Sequence, residues 1–192
     1  MPVFSPYYLD FRSPLHIGER GVGLEETRIH VPADTLFSAL CSMWRELYGV
    51  DALCADVLDW FTEEEGGSEP FFLSSAFPFV HSIRFFPKPL ARLKVTVNEG
   101  ADKAFKRVRF VSESIFTSLV RGESQTFSTA DCVNGETVWV TEAEKAQLAN
   151  RMDETPDDIV LWKQDLVPRV TLDRITSASE IWHLGDVKFD QG

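Results

Sequence analysis

The sequence predicts an α+β fold: an antiparallel sheet with helices on one of its faces and an inserted hairpin. Three observations carry that expectation. Apolar and polar residues alternate with period two along residues 91–97, as a half-buried strand requires. Leu36, Phe37, Leu40, Met43, Trp44 and Leu47 recur at helical spacing. Asn134-Gly135, set between two apolar runs, supplies the positive φ angles that a type I′ turn demands. Of the 192 residues 44% are hydrophobic, enough for a packed core in one domain spanning residues 1–192, which excludes a disordered chain.

In order along the chain, residues 3–11 bring Val3, Ser5, Tyr7, Leu9 and Phe11 to one side and predict a first strand. His16-Ile17-Gly18-Glu19-Arg20-Gly21-Val22-Gly23 predicts a loop whose backbone can approach another molecule closely. Asp34, with Pro32 just ahead of it, is the expected N-cap of a helix that Gly49 stops, with its apolar stripe laid on the sheet. Leu53, Val57, Trp60 and Phe61 predict a shorter second helix, closed by the exposed turn Glu63-Glu64-Glu65-Gly66-Gly67. Residues 71–80 are too apolar for a surface loop and too rich in proline for a central strand, so they belong along a sheet edge or under a loop, and residues 85–90 continue that character.

At residues 91–97, Ala91, Leu93, Val95 and Val97 take one face while Arg92, Lys94 and Thr96 take the other. Residues 106–111 repeat the pattern, with Val108 and Phe110 inward and Arg107 and Arg109 outward. Ile115, Phe116, Leu119 and Val120 predict a helix ending at Gly122. Runs 127–133 and 136–140 flank the Asn134-Gly135 turn, and Thr141 with Glu144 forms a capping box for a helix through Met152. An acidic, proline-broken loop follows at 153–158, then a strand at 168–175 that carries Arg169 and Arg174. This order of elements points to a ferredoxin-like, split βαβ topology.

The net charge of −11 argues against a general nucleic-acid binder, but its distribution reverses that impression. Residues 81–121 hold nine cations against three anions, a local +6, which leaves −17 for the rest of the chain. A cationic face for one partner and an acidic face for another follow from such sorting. The longest run without a charged side chain is the 14 residues 70–83, short of the roughly 20 that a membrane span needs. No export signal is visible at the N-terminus, and Cys41, Cys54 and Cys132 form neither a disulfide framework nor a metal-type pair. A soluble protein in a reducing, cytoplasmic compartment is expected.

Chemistry-bearing motifs are sparse. There is no G-x-S-x-G elbow, no H-E-x-x-H, no P-loop and no G-x-G-x-x-G, so no cofactor or bound nucleotide is indicated. The adjacent acids Asp157-Asp158 and Glu63-Glu64-Glu65 lack the spacing of a calcium or zinc site and read as solvated. His16 alone among four histidines sits in a glycine-rich loop, where a general base could activate a 2′-hydroxyl for metal-independent RNA cleavage. A loop histidine is more often a hydrogen-bonding or stacking side chain. What remains is contact with single-stranded RNA: Arg92, Lys94, Arg107 and Arg109 for phosphates, with Phe85, Phe86, Phe105 and Phe110 interleaved among them. A scaffold whose cations pair with acids on neighbouring proteins is the third reading.

Five motifs occur in order: Ser13-Pro14-Leu15-His16-Ile17-Gly18-Glu19, Pro32-Ala33-Asp34-Thr35-Leu36-Phe37-Ser38-Ala39-Leu40, Phe72-Leu73-Ser74-Ser75-Ala76-Phe77-Pro78, Phe86-Pro87-Lys88-Pro89-Leu90 and Pro168-Arg169-Val170-Thr171-Leu172-Asp173-Arg174. With them the chain resembles the RAMP subunits that bind the crRNA tag in type III-A (Csm) CRISPR effector complexes. The resemblance implies an RNA-recognition-like ferredoxin fold and a non-catalytic role in antiviral defence. It implies a grip on the 5′ tag of the crRNA, with docking on the large polymerase/nuclease subunit and on a backbone RAMP subunit. It also implies a β-hairpin thumb that distorts the RNA, for which the Asn134-Gly135 hairpin is a candidate. Matched motif by motif, His16, Gly18, Lys88, Arg169 and Arg174 are the residues it places near RNA. Members of that family run longer, with a second ferredoxin-like half, so this chain resembles the N-terminal part of one. The alternative within the same superfamily is a metal-independent crRNA-processing endoribonuclease using His16.

Overall fold

The computed structural model describes residues 5–18, 23–59, 71–172 and 179–189. The chain divides into two units, Met1–Ile29 with Phe77–Gly192, and His30–Ala76.

In the smaller unit, α1 spans Ala33–Tyr48. Pro32, with φ fixed at −59°, precedes it, and the first helical N–H, that of Ala33, finds its acceptor in the Ser75 hydroxyl at 3.2 Å. Asp34, expected as the cap, instead lies in the first turn, where its Oδ1 accepts from the Thr35 N–H. Gly49, at φ 90°, ends the helix as anticipated. The helix α2 (Val50–Leu53) passes into a wider π-helical turn at Cys54–Leu58. An antiparallel bridge between Val31 and Ala76 closes the unit. Leu40, Met43, Trp44 and Leu47, on the apolar stripe of α1, are all exposed, and no residue of α1 is buried. Helical spacing fixes which face is apolar, not what covers it. Trp60, Phe61 and the tract Glu63-Glu64-Glu65-Gly66-Gly67 lie outside the described residues.

The larger unit is organised by a five-stranded sheet. Its members are β1 (Phe79–Val80), β2 (Ile83–Pro87), β4 (Phe110–Ser112), β6 (Cys132–Val133) and β7 (Val138–Trp139), in the spatial order β1-β2-β4-β7-β6. A separate two-stranded parallel piece pairs β3 (Val95–Val97) with β5 (Gln125–Phe127). The main sheet is mixed rather than antiparallel, because β4 and β7 run parallel and the other neighbours antiparallel. The crossover between β4 and β7 passes through α4 (Glu113–Val120), and α3 (Asp102–Arg107) precedes β4.

Alternation on these short strands feeds two cores. Phe85, Phe110, Val133 and Val138 point to a cluster that holds Leu148 and Ala149 of α5 (Glu142–Met152) together with Ile159, Leu161 and Trp162. Val111, Cys132 and Trp139 point the other way, to Ala104 of α3, Ile115 and Leu119 of α4 and Phe127 of β5. Both faces are therefore covered, with α4 and α5 on opposite ones, which corrects the expectation of helices on one face. Phe85, Val111, Phe127, Val138, Val140 and Leu161 are fully buried, each contributing about 1.5–3 kcal/mol to folding.

The capping box of α5 forms as its sequence dictates: Thr141 Oγ1 accepts from the Glu144 N–H, and the Glu144 carboxylate accepts from the Thr141 N–H. The β6–β7 hairpin also forms, but with a four-residue loop, Val133 pairing with Val138 and positive φ at Asn134, Gly135 and Glu136. The Thr137 hydroxyl donates to the Asn134 carbonyl at 2.6 Å, a bond that a two-residue type I′ turn has no place for.

A long antiparallel ribbon completes the unit: β8 (Trp162–Leu172) and β9 (Ser179–Phe189), 11 residues each and so roughly 36 Å long. Only its foot is buried, through Trp162, Gly185, Asp186 and Val187. Leu15 bridges to Val187 and Gly185 donates to the Leu24 carbonyl, so two N-terminal segments flank that foot. The first strand expected at 3–11 does not form among the described residues 5–11. Pro6 there has no N–H to give a ladder, and the apolar side chains serve as contacts instead, Tyr8 lying edge-on to Phe79 at 4.9 Å.

Candidate nucleic-acid interface

Three of the expected cations converge at one end of the main sheet. Lys88, just past β2, pairs with no acid among the described residues: its Nζ donates to the Phe105 carbonyl in α3 at 2.7 Å and lies 4.4 Å from the centre of the Phe105 ring. Its burial lowers the ammonium pKa below the usual lysine range. Lys88 is thus a structural tie between β2 and α3, while its main-chain N–H donates to the Arg109 carbonyl at 2.8 Å. Arg107 ends α3 and pairs with Glu136 of the β6–β7 loop at 3.1 Å. That pair is exposed, and such pairs contribute about 0–1 kcal/mol, leaving the guanidinium free to exchange its carboxylate for a phosphate. Arg109 is exposed, with no side-chain partner among the described residues. It lines a half-open cleft of about 150 Å³ with Asn134, Thr137, Trp162 and Gln164.

Arg107 and Arg109 do not leave one strand as outward neighbours. Residues 106–107 belong to α3, and β4 begins only at Phe110, because Ala104 and Val108 are drawn into the same core and hold a helical turn there. Arg92 and Lys94 are exposed and alternate with the partly buried Leu93 and Val95 as predicted, but they precede β3, which pairs with β5 and not with the main sheet. A single cationic sheet face carrying all four residues is therefore not what the chain builds. Nor are the interleaved phenylalanines open to bases: Phe85 and Phe110 are buried, Phe105 packs edge-on to Phe127 at 5.0 Å, and Phe86 stacks on Phe116 at 5.0 Å.

His16 and Gly18 stand at the foot of the ribbon. The Nδ1 of His16 lies 2.6 Å from the Gly185 carbonyl oxygen. A carbonyl only accepts, so Nδ1 carries the proton, and Nε2 is the basic atom of the neutral ring. Exposed Gly18, with no side chain of its own, leaves space beside that Nε2. Residues 19–22 of the glycine loop lie outside the described residues, as does Arg174. Arg169 is exposed on the outer part of the ribbon, directly opposite Trp182 in the ladder. The sequence reading missed β9 altogether, and with it Trp182. Residues 181–184 give no clean apolar alternation because the outer ribbon has no buried face, and 185–187 are buried together at its foot, so the one available signal is the strand preference of Ile181 and Trp182.

No family model matches the chain. Over 157 residues, 82% of the chain, it is 29% identical to the protein named CRISPR system Cms protein Csm4 of Thermococcus onnurineus strain NA1. The alignment takes in 45% of that protein, so the chain spans about half the length of the curated relative it matches. This similarity supports a Csm-type, RAMP-like protein. No helix among the described residues is long and apolar enough to cross a membrane.

Proposed function

We propose that the chain is a non-catalytic RNA-binding subunit of a type III-A (Csm) CRISPR effector complex, acting in the cytoplasm in antiviral defence. In this reading it holds the 5′ tag of the crRNA and docks on the large polymerase/nuclease subunit and on a backbone RAMP subunit. The similarity to a Csm4 protein across 82% of the chain is the observation that carries the proposal. Two structural features support it. Arg109 stands exposed at a cleft and Arg107 is exposed on α3, with Arg92 and Lys94 as further phosphate contacts. The β8–β9 ribbon projects both of its faces, whereas the β6–β7 hairpin is buried through Cys132, Val133, Val138 and Trp139. In this reading the ribbon is the better candidate for the thumb than the Asn134-Gly135 hairpin. In fold terms, we read β4–α4–β6–β7 as the split βαβ unit of a ferredoxin-like half, with β2 as the fourth strand beside β4 and β1 added beyond it.

The test is the affinity of the reconstituted complex for tag RNA across a salt series, for wild type and for the Arg107→Ala/Arg109→Ala double variant. Each phosphate contact contributes about 0.7 to the salt slope on a single strand, so the double variant should bind more weakly with a slope reduced by about 1.4. Unchanged affinity and slope would remove these arginines from the interface. Incubation with repeat RNA in EDTA addresses the enzymatic alternative: a cleavage product that disappears in His16→Ala would replace this proposal with an endoribonuclease.

A further inference from the structure

We infer that Trp182 and Arg169 form a nucleotide-binding pair on one face of the outer ribbon, Trp182 stacking on a base of single-stranded RNA and Arg169 contacting the adjoining phosphate. The inference rests on the RNA-binding reading and assigns it a residue that the motif resemblance does not reach.

The ladder sorts the ribbon into two unlike faces. Residues directly opposite in an antiparallel pair share a face, and successive residues alternate. One face carries Leu166, Pro168, Val170 and Leu172 against Ile181 and His183, and its aliphatic members are more than half exposed. The other carries Val167, Arg169 and Thr171 against Leu184, Trp182 and Glu180. On this second face the Trp182 Nε1–H donates to the Thr171 Oγ1 at 3.0 Å, which fixes the orientation of an indole that no core encloses. A partly buried tryptophan held by its one polar atom keeps the exposed part of its π surface available at little cost in rotamer entropy.

Arg169 stands opposite that indole, and Glu180, the nearest anion on the face, makes no ion pair with it. By contrast Lys188, nearer the foot, is already engaged with Asp165 at 2.8 Å. The face therefore offers one fixed aromatic plane and, directly opposite it, a guanidinium that has no ion-pair partner among the described residues. A nucleotide presents the matching combination, a flat base joined to a phosphate. An acidic peptide would satisfy the arginine and leave the indole without a partner.

The full chain is titrated with a single-stranded RNA of about ten nucleotides carrying a central 2-aminopurine, whose fluorescence is quenched on stacking. Wild type should quench the probe. Trp182→Ala should weaken binding about tenfold and abolish quenching, the loss of one base–aromatic stack, while Trp182→Phe keeps most of both. Arg169→Ala should lower the salt slope by about 0.7 and leave quenching at saturation intact. Thermal melts of the same variants separate a collapsed ribbon from a lost contact, since Trp182→Phe preserves the cross-strand packing. If Trp182→Ala binds and quenches like wild type while the Arg107/Arg109 double variant loses affinity, the ribbon pair is wrong and the RNA-binding reading stands. If wild type binds no RNA, alone or with its Csm partners, both fall. If Trp182→Ala weakens binding to polyglutamate as much as binding to RNA, the pair recognises acidic protein and the assignment to nucleic acid fails.

Discussion

The Nδ1 of His16 donates to the carbonyl oxygen of Gly185 across 2.6 Å, joining residues 169 positions apart in the chain. That bond ties the segment entering the glycine loop to the foot of the β8–β9 ribbon, beside the backbone bridge from Leu15 to Val187. His16→Ala should cost about 1 kcal/mol of stability, read as a lower midpoint in urea. His16→Asn places an amide nitrogen near the former Nδ1 and should recover part of that loss. Cleavage chemistry that needed the imidazole would not be recovered by asparagine, so the two variants together separate an anchoring histidine from a reacting one.

Gly185 leads to a second expectation. A Cβ at this position would fall inside van der Waals contact with the main-chain oxygen and carbon of Glu25. Those are backbone atoms, held in place by the bond from the Gly185 N–H to the Leu24 carbonyl, so they cannot rotate away as a side chain would. Gly185→Ala should therefore destabilise the larger unit by about 1–3 kcal/mol, the usual range for overpacking. Hydrogen exchange should show the loss as faster opening at residues 15 and 187, whose amides bond across the same foot. Exchange at those amides equal to wild type would mean the loop at residues 23–26 yields freely.

Burial of Cys132 pushes its thiol pKa up to about 12, with the negative charges of Glu136 and Asp131 adding to the effect. The thiol stays protonated at neutral pH and is covered by the core that holds Trp139 and Phe127. Cys41 and Cys54 are partly exposed. Native alkylation followed by mass spectrometry should label those two first, with Cys132 modified at the rate of unfolding. Early labelling of Cys132 would show that this core opens locally.

Local chemistry was legible in the sequence where one segment decides its own structure. Thr141 and Glu144 satisfy each other within four residues, so the capping box and the start of α5 at Glu142 follow from the spacing. Gly49 and Gly122 end their helices at positive φ for the same local reason. Pairing between distant segments was not legible. The alternation at residues 106–111 matched a strand, yet Ala104 and Val108 share a core with Ile115 and Leu119, and that packing winds residues 102–107 into α3. The cations suffered most from this, because charge in sequence says nothing of what it meets. Lys88 meets a carbonyl and a ring, Arg107 meets Glu136, and Arg92 and Lys94 belong to a different pair of strands.

Lys88 also gives a pH dependence with a defined sign. Burial lowers its folded-state pKa below the ordinary 10.5, to which the unfolded chain returns it. Between the lowered value and 10.5 the unfolded chain binds more protons than the folded one, so stability rises with pH across that window. Below the folded-state pKa the cost of holding a partly buried ammonium is fully present, and above 10.5 it has gone. Lys88→Met keeps the aliphatic stem over the Phe105 ring and removes the charge, but it leaves the Phe105 carbonyl without its donor, a loss of about 1 kcal/mol at neutral pH. Urea midpoints measured from about pH 7 to about pH 10 should therefore show wild type gaining on Lys88→Met as the solution becomes more alkaline. A gap that narrowed over that range would mean the ring stabilises the charged amine by more than its burial disfavours it.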